Sequence, residues 1–108
     1  MASNTKLSQD QKDSLKFFKD EMPKNMVFGQ SGRVTVLVQL TGNVMRFSTA
    51  VASPDEKKLR RKVGQYHAAD RWTNGEISVA PVPPKLWDGE RTDPEYVANL
   101  LADALNAL

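Results

Sequence analysis

The chain has 108 residues, with 15 Lys and Arg against 13 Asp and Glu, a formal net charge of +2 and no cysteine. That excludes disulfides, thiolate nucleophiles and Cys-ligated zinc. No apolar run is long enough to span a bilayer, and the opening MASNTKLSQDQK lacks the apolar centre of a secretory signal. The expectation is therefore a cytoplasmic protein with one modest core.

Residues 1–7 read as a flexible tail, and residues 8–108 as a single compact α+β domain of order α-β-β-α-β-α around a central antiparallel hairpin. Ser8 and Gln11 have capping-box spacing, Leu15, Phe18 and Met22 recur at helical spacing, and Pro23 ends the first helix. Phe17 lies off that stripe, free for a second contact. Met26 to Phe28 has the character of a short extra strand ahead of the Gly29–Gly32 turn.

Val34, Val36, Val38 and Leu40 alternate strictly, as do Met45, Phe47, Thr49 and Val51. A two-residue Gly42-Asn43 loop suits a type II′ turn, with glycine supplying the positive φ. That loop pairs Leu40 with Met45, Val38 with Phe47, Val36 with Thr49 and Val34 with Val51, all on one face. The opposite face carries Arg33, Thr35, Leu37, Gln39, Arg46, Ser48 and Ala50. Mostly small and polar, it reads as a solvated face, or else as a binding platform. It has no aromatic residue on which a base could stack.

Ser53, Pro54 and Glu56 form the N-terminal signature of a second helix reaching Asp70 or Trp72, where Asn74-Gly75 stops it. Ile77 and Val79 mark a short strand, and Pro81-Val82-Pro83-Pro84 cannot continue a central one. Thr92 or Asp93 caps the last helix, with Pro94 at its start. Val97, Leu100, Leu101, Ala104, Leu105 and Leu108 give that helix a wide apolar face, for the core or for a homodimer seam.

The second helix carries the strongest local charge signal: Lys57, Lys58, Arg60, Arg61 and Lys62. On a helical wheel Leu59, Val63, Tyr66 and Asp70 cluster as the buried side. Lys57, Arg61, Gly64, Ala68 and Arg71 then form an outward stripe. Its low centre at Gly64 and Ala68 would let a phosphate backbone or another helix approach closely. The plainer reading is a solvated charged face. Arg33, Arg46, Trp72 and Trp87 are secondary contact candidates: the arginines on the sheet face, Trp72 as a base-stacker or packing wedge, and Trp87 as an anchor in the loop PPKLWDGER.

Catalytic chemistry has little support. His67 is the sole histidine and has no ligand cluster around it, so it reads as a boundary residue rather than a metal ligand or base. Asp88, Glu90, Asp93 and Glu95 are close in sequence, but Asp93 is better explained as a cap and Glu95 as a first-turn acid. No phosphate-binding glycine loop and no nucleophile elbow occurs. The chain is read as non-enzymatic, without cofactor or metal.

Ala50, Ser53, Pro54, Arg61, Lys62, Gly64, Ala68 and Arg71 resemble a pattern in small uncharacterised proteins of tailed bacteriophages, in which a strand runs into a Ser-Pro cap and then an Arg-Lys-x-Gly helix. The resemblance spans about a fifth of the chain. It implies a small accessory protein in the cytoplasm of an infected bacterium, regulating or inhibiting host or phage machinery, and it implies no known activity. The function expected is binding to nucleic acid or to a nucleic-acid-handling protein through the basic helix, with no membrane contact. The alternative is a protein–protein adaptor or host-protein inhibitor acting through the Trp87 loop or the last helix.

Overall fold

The computed structural model describes residues 7–52, 61–82 and 94–107. Helix α1 (Gln9–Glu21) opens with the capping box: the Gln11 amide donates to Ser8 Oγ at 3.2 Å and the Ser8 amide donates to Gln11 Oε1 at 2.9 Å. It closes at Met22, which is extended, as the ring of Pro23 demands of the residue before it.

Four strands follow one another as an antiparallel meander, in spatial order β1-β2-β3-β4. They are β1 (Met26–Ser31), β2 (Val34–Thr41), β3 (Val44–Val51) and β4 (Ser78–Pro81). The six residues of β1 make a full strand, so the order is α-β-β-β-α-β-α rather than one with two strands after the first helix. The β2–β3 register is the one the turn and the alternation predict, with Leu40 opposite Met45, Val38 opposite Phe47 and Val34 opposite Val51. Gly42 has φ +62°, and among the described residues no non-glycine has a positive φ, Asn43 included. That combination is type II′ rather than type I′.

Helix α2 (Arg61–Thr73) and helix α3 (Pro94–Asn106) lie on opposite faces of the sheet. On one face Val34, Val36, Val38, Leu40 and Met45 pack against Val97, Ala98 and Ala102 of α3. The core side of the last helix is therefore Val97, Ala98 and Ala102; of the rest of the expected apolar stripe, Leu101 and Leu105 pack at the margin, Leu100 is half-buried outside this cluster and Ala104 is exposed.

The other face overturns the solvated-platform reading. Thr35, Leu37, Ser48 and Ala50 are all buried there. They lie under α2, and α1 packs in turn against α2. The reason is size. A Cβ placed on Gly64 would sit 2.2 Å from Thr35 Oγ1, so glycine lets α2 settle almost onto the strand. The Ser48 hydroxyl donates to the Ala68 carbonyl at 2.7 Å, which satisfies a buried polar group across the same contact. Small polar side chains make a close-packed interface here, not a wet one.

Asn74-Gly75 stops α2 as read, with Gly75 at φ +82°. Pro81 falls at the end of β4, an edge strand, opposite Val44. No described helix is long and apolar enough to cross a membrane. The expected Ser53 cap and first turns of the second helix, the Thr92 or Asp93 cap and Leu108 lie outside the described residues.

Candidate nucleic-acid interface

The orientation of α2 rearranges the expected cationic stripe. Arg61, Gly64, Gln65, Ala68, Arg71 and Trp72 fall within about 120° of one side of the helix. That side faces the sheet. Ala68 is fully buried and Gly64 abuts Thr35, so the gap that seemed to invite a phosphate backbone is filled by β2 and β3. Arg71 is spent on structure: its guanidinium donates to the Thr49 carbonyl of β3. Of the expected buried side, Val63 is buried, Tyr66 is half-buried and Asp70 is exposed. Lys57, Lys58 and Arg60 lie outside the described residues, as does Trp87.

The secondary candidates separate. Arg33 sits in the β1–β2 turn beside the β3 exit, where its carbonyl accepts from the Ala52 amide at 2.8 Å. Arg46 is exposed and paired with Gln39, at the other end of the sheet. Six residues of strand place the two about 20 Å apart along the strand, so they do not form one site. Trp72 is half-buried against the core cluster of Met26, Leu37, Ala50 and Ala68, which makes it a packing residue. His67 is exposed, with its ring edge-on to Tyr66 at 5.5 Å. Among the described residues no group of three or more His, Asp or Glu is placed to hold a metal ion.

A cationic cluster does form, and Lys19 of α1 completes it. Partial burial against the protein holds the largely exposed Lys19 ammonium below the usual lysine range, and the nearby charges of Lys62 and then Arg61 push it further down. Its Nζ also lies 5.8 Å over the Phe28 ring of β1, a favourable cation–π placement. Residues 12, 16 and 19 are one turn apart, so Lys12 and Lys16 continue the same flank of α1 at helical spacing. All three lysines, with Arg61 and Lys62, are exposed.

Sequence reasoning missed Lys19 because its partners come from a different helix. The Lys12–Lys16–Lys19 spacing was the available signal. Beside the cluster is a 310 Å³ cleft lined by Lys19, Met22, Met26, Val27, Phe28, Arg61, Gln65 and Glu95.

The opposite flank of α1 differs in character. Phe17 is 68% exposed and, with Phe18, Asp13, Ser14, Glu21 and Thr73 of α2, lines a 520 Å³ hollow. One helix thus carries a basic edge and an acidic, aromatic edge.

No protein-family model, curated protein or solved structure matches the chain.

The depressed Lys19 pKa has a consequence for stability. A lysine whose folded pKa lies below its unfolded value binds fewer protons when folded, so stability rises as pH climbs from the folded value toward 10.5, and the charged form is unfavourable at neutral pH. Lys19→Gln is therefore expected to leave the thermal midpoint unchanged or raise it. Any gain should shrink in high salt, where the repulsion from Lys62 and Arg61 is screened. A loss of more than about 1 kcal/mol in reversible denaturation would assign Lys19 a structural role instead.

Proposed function

We propose that the protein is a small non-enzymatic regulatory binding protein that contacts nucleic acid through the flank where α1 meets the start of α2. The observation that supports this most is the convergence of Lys19 with Arg61 and Lys62. These like charges come from two helices, and those of Lys62 and Arg61 are close enough to add to the burial that holds the Lys19 ammonium low, an arrangement that costs free energy in the isolated protein. A phosphate backbone would offset that repulsion and release counterions, which is where such affinity comes from. Lys12 and Lys16 extend the flank in the manner of a backbone-tracking surface. In the phage setting implied by the Ser-Pro and Arg-Lys-x-Gly pattern, such a contact would block or redirect nucleic-acid machinery in the host cytoplasm.

The direct test is fluorescence anisotropy of labelled DNA and RNA at low salt. Binding that weakens steeply as salt rises supports the reading, and absence of binding at low salt ends it.

A second reading, as a protein adaptor, is favoured by the Phe17 hollow. An exposed phenylalanine flanked by Asp13 and Glu21 suits an amphipathic helix with cations beside its apolar face. That surface replaces the last helix, whose apolar face is taken by the sheet. Its binding would depend on Phe17 and would not share the steep salt dependence of phosphate contacts.

A further inference from the structure

Gln65 is 5% exposed, and its Oε1 is buried without a hydrogen-bond partner. A carbonyl in that state has lost water without replacing it, which is unfavourable and calls for an explanation. Gln65 lines the 310 Å³ cleft together with Lys19 and Arg61, so an unpaired acceptor adjoins the cationic cluster.

The free edge of β1 adds a donor. The Leu40 amide donates to the Asn25 carbonyl at 3.0 Å, which sets the alternation of the β1–β2 ladder. The backbone groups of Met26, Phe28 and Gln30 therefore turn away from β2. The Met26 amide is taken by the Pro23 carbonyl at 3.1 Å, and the Gln30 amide by Asn99 Oδ1 at 3.4 Å. The Phe28 amide between them faces an edge on which no described strand pairs, and Phe28 is among the residues that line the cleft.

The cleft thus combines two cations, an outward amide, an unsatisfied acceptor and an apolar wall of Met22, Met26 and Phe28. Glu95 of α3 also lines it, so it is not purely cationic. Inorganic phosphate would use the cations and leave the acceptor and the apolar wall idle. A nucleotide supplies an anion, an apolar ring face and N–H or O–H donors together. In a duplex those base donors are engaged in pairing, so the fit is to an unpaired one. The volume is at the small end of the range for ligand sites, about 300–1,000 Å³, in keeping with one nucleotide rather than several.

We infer that this cleft takes a single unpaired nucleotide, with its phosphate against Lys19, Arg61 and the Phe28 amide, and with a base or sugar donor on Gln65 Oε1. The inference rests on the nucleic-acid reading and deepens it.

The test compares short single-stranded DNA and RNA oligonucleotides with the matching duplexes, at low salt, on the parent and on Gln65→Leu. The parent is expected to prefer single strands, and the more tightly held of the two identifies the source of the nucleotide. Gln65→Leu should bind single strands about tenfold more weakly, because the ligand donor is left buried without an acceptor, and should bind duplex nearly as well as the parent. Its thermal midpoint should be unchanged or higher, since an unsatisfied carbonyl has been replaced by an apolar side chain. Gln65→Met, of similar length, serves if the leucine variant does not fold. Unaltered single-strand affinity in the variant overturns the inference while the cationic reading stands, and so does an equal loss on duplex. If no oligonucleotide binds the parent, the functional reading fails and this inference fails with it.

Discussion

Gly29→Ala is expected to destabilise the protein by about 2–3 kcal/mol, at the upper end of the range for overpacking a well-filled site. A Cβ there would lie 2.5 Å from the Ala98 carbonyl carbon, 2.6 Å from its oxygen and 2.8 Å from its Cβ. These are mostly backbone atoms of α3, which cannot rotate aside as the end of a long side chain can. The helix would have to lift from β1, and with it Val97, Ala98 and Ala102, which close the core over Val36 and Val38. Replacing glycine by alanine in a strand ordinarily gains about 0.5–1 kcal/mol, so the clash has to exceed that gain. Denaturant unfolding reads the balance. Adding Ala98→Gly removes one of the three close atoms and should restore only part of the loss, a coupling that a double-mutant cycle measures. A net loss under about 0.5 kcal/mol would mean that α3 does not approach β1 this closely.

Leu37→Ala is expected to cost about 2–5 kcal/mol, the range for truncating a fully buried leucine. Leu37 is 0% exposed, between α2 and the sheet, among Met26, Ala50 and Ala68. The substitution separates two architectures. On a solvated sheet face it would change stability by less than about 0.5 kcal/mol. In the sandwich it opens a cavity beneath a helix whose Gly64 and Ala68 offer no bulk to refill it. Equilibrium unfolding in urea or guanidinium distinguishes the two outcomes.

The hairpin was legible in the sequence because turn chemistry and alternation are local and agree on one register: Gly42-Asn43 and the two apolar runs leave no other pairing. The α1 cap was legible for the same reason. The second sheet face was not. Thr35, Ser48 and Ala50 look like solvent-facing residues until they are matched with Gly64 and Ala68, and that match is a tertiary one. The signal was present as small residues on both partners, but periodicity on α2 favoured Val63, Tyr66 and Asp70 as its inner side. The site shifted for that reason. Reversing the helix kept Arg61 and Lys62 at an exposed end, moved Ala68 and Arg71 into structural contacts, and brought in Lys19 from a helix about forty residues away in the chain. The Gln65 acceptor carries no sequence signal, since a glutamine in a basic helix ordinarily reads as a solvated residue.

The most direct test of the cationic flank is the salt dependence of nucleic-acid affinity in the parent and in the triple variant Lys19→Gln, Arg61→Gln, Lys62→Gln. None of these residues is buried, so the fold should persist, as far-UV circular dichroism and the thermal midpoint will report. Each phosphate contact removed should reduce the slope of log affinity against log salt by about one unit, with affinity falling across all sequences rather than at one. The slope in the triple variant should be lower by about two to three units, with little binding left near physiological salt. A folded triple variant that retains the parent's affinity and slope would contradict this assignment of the cationic flank.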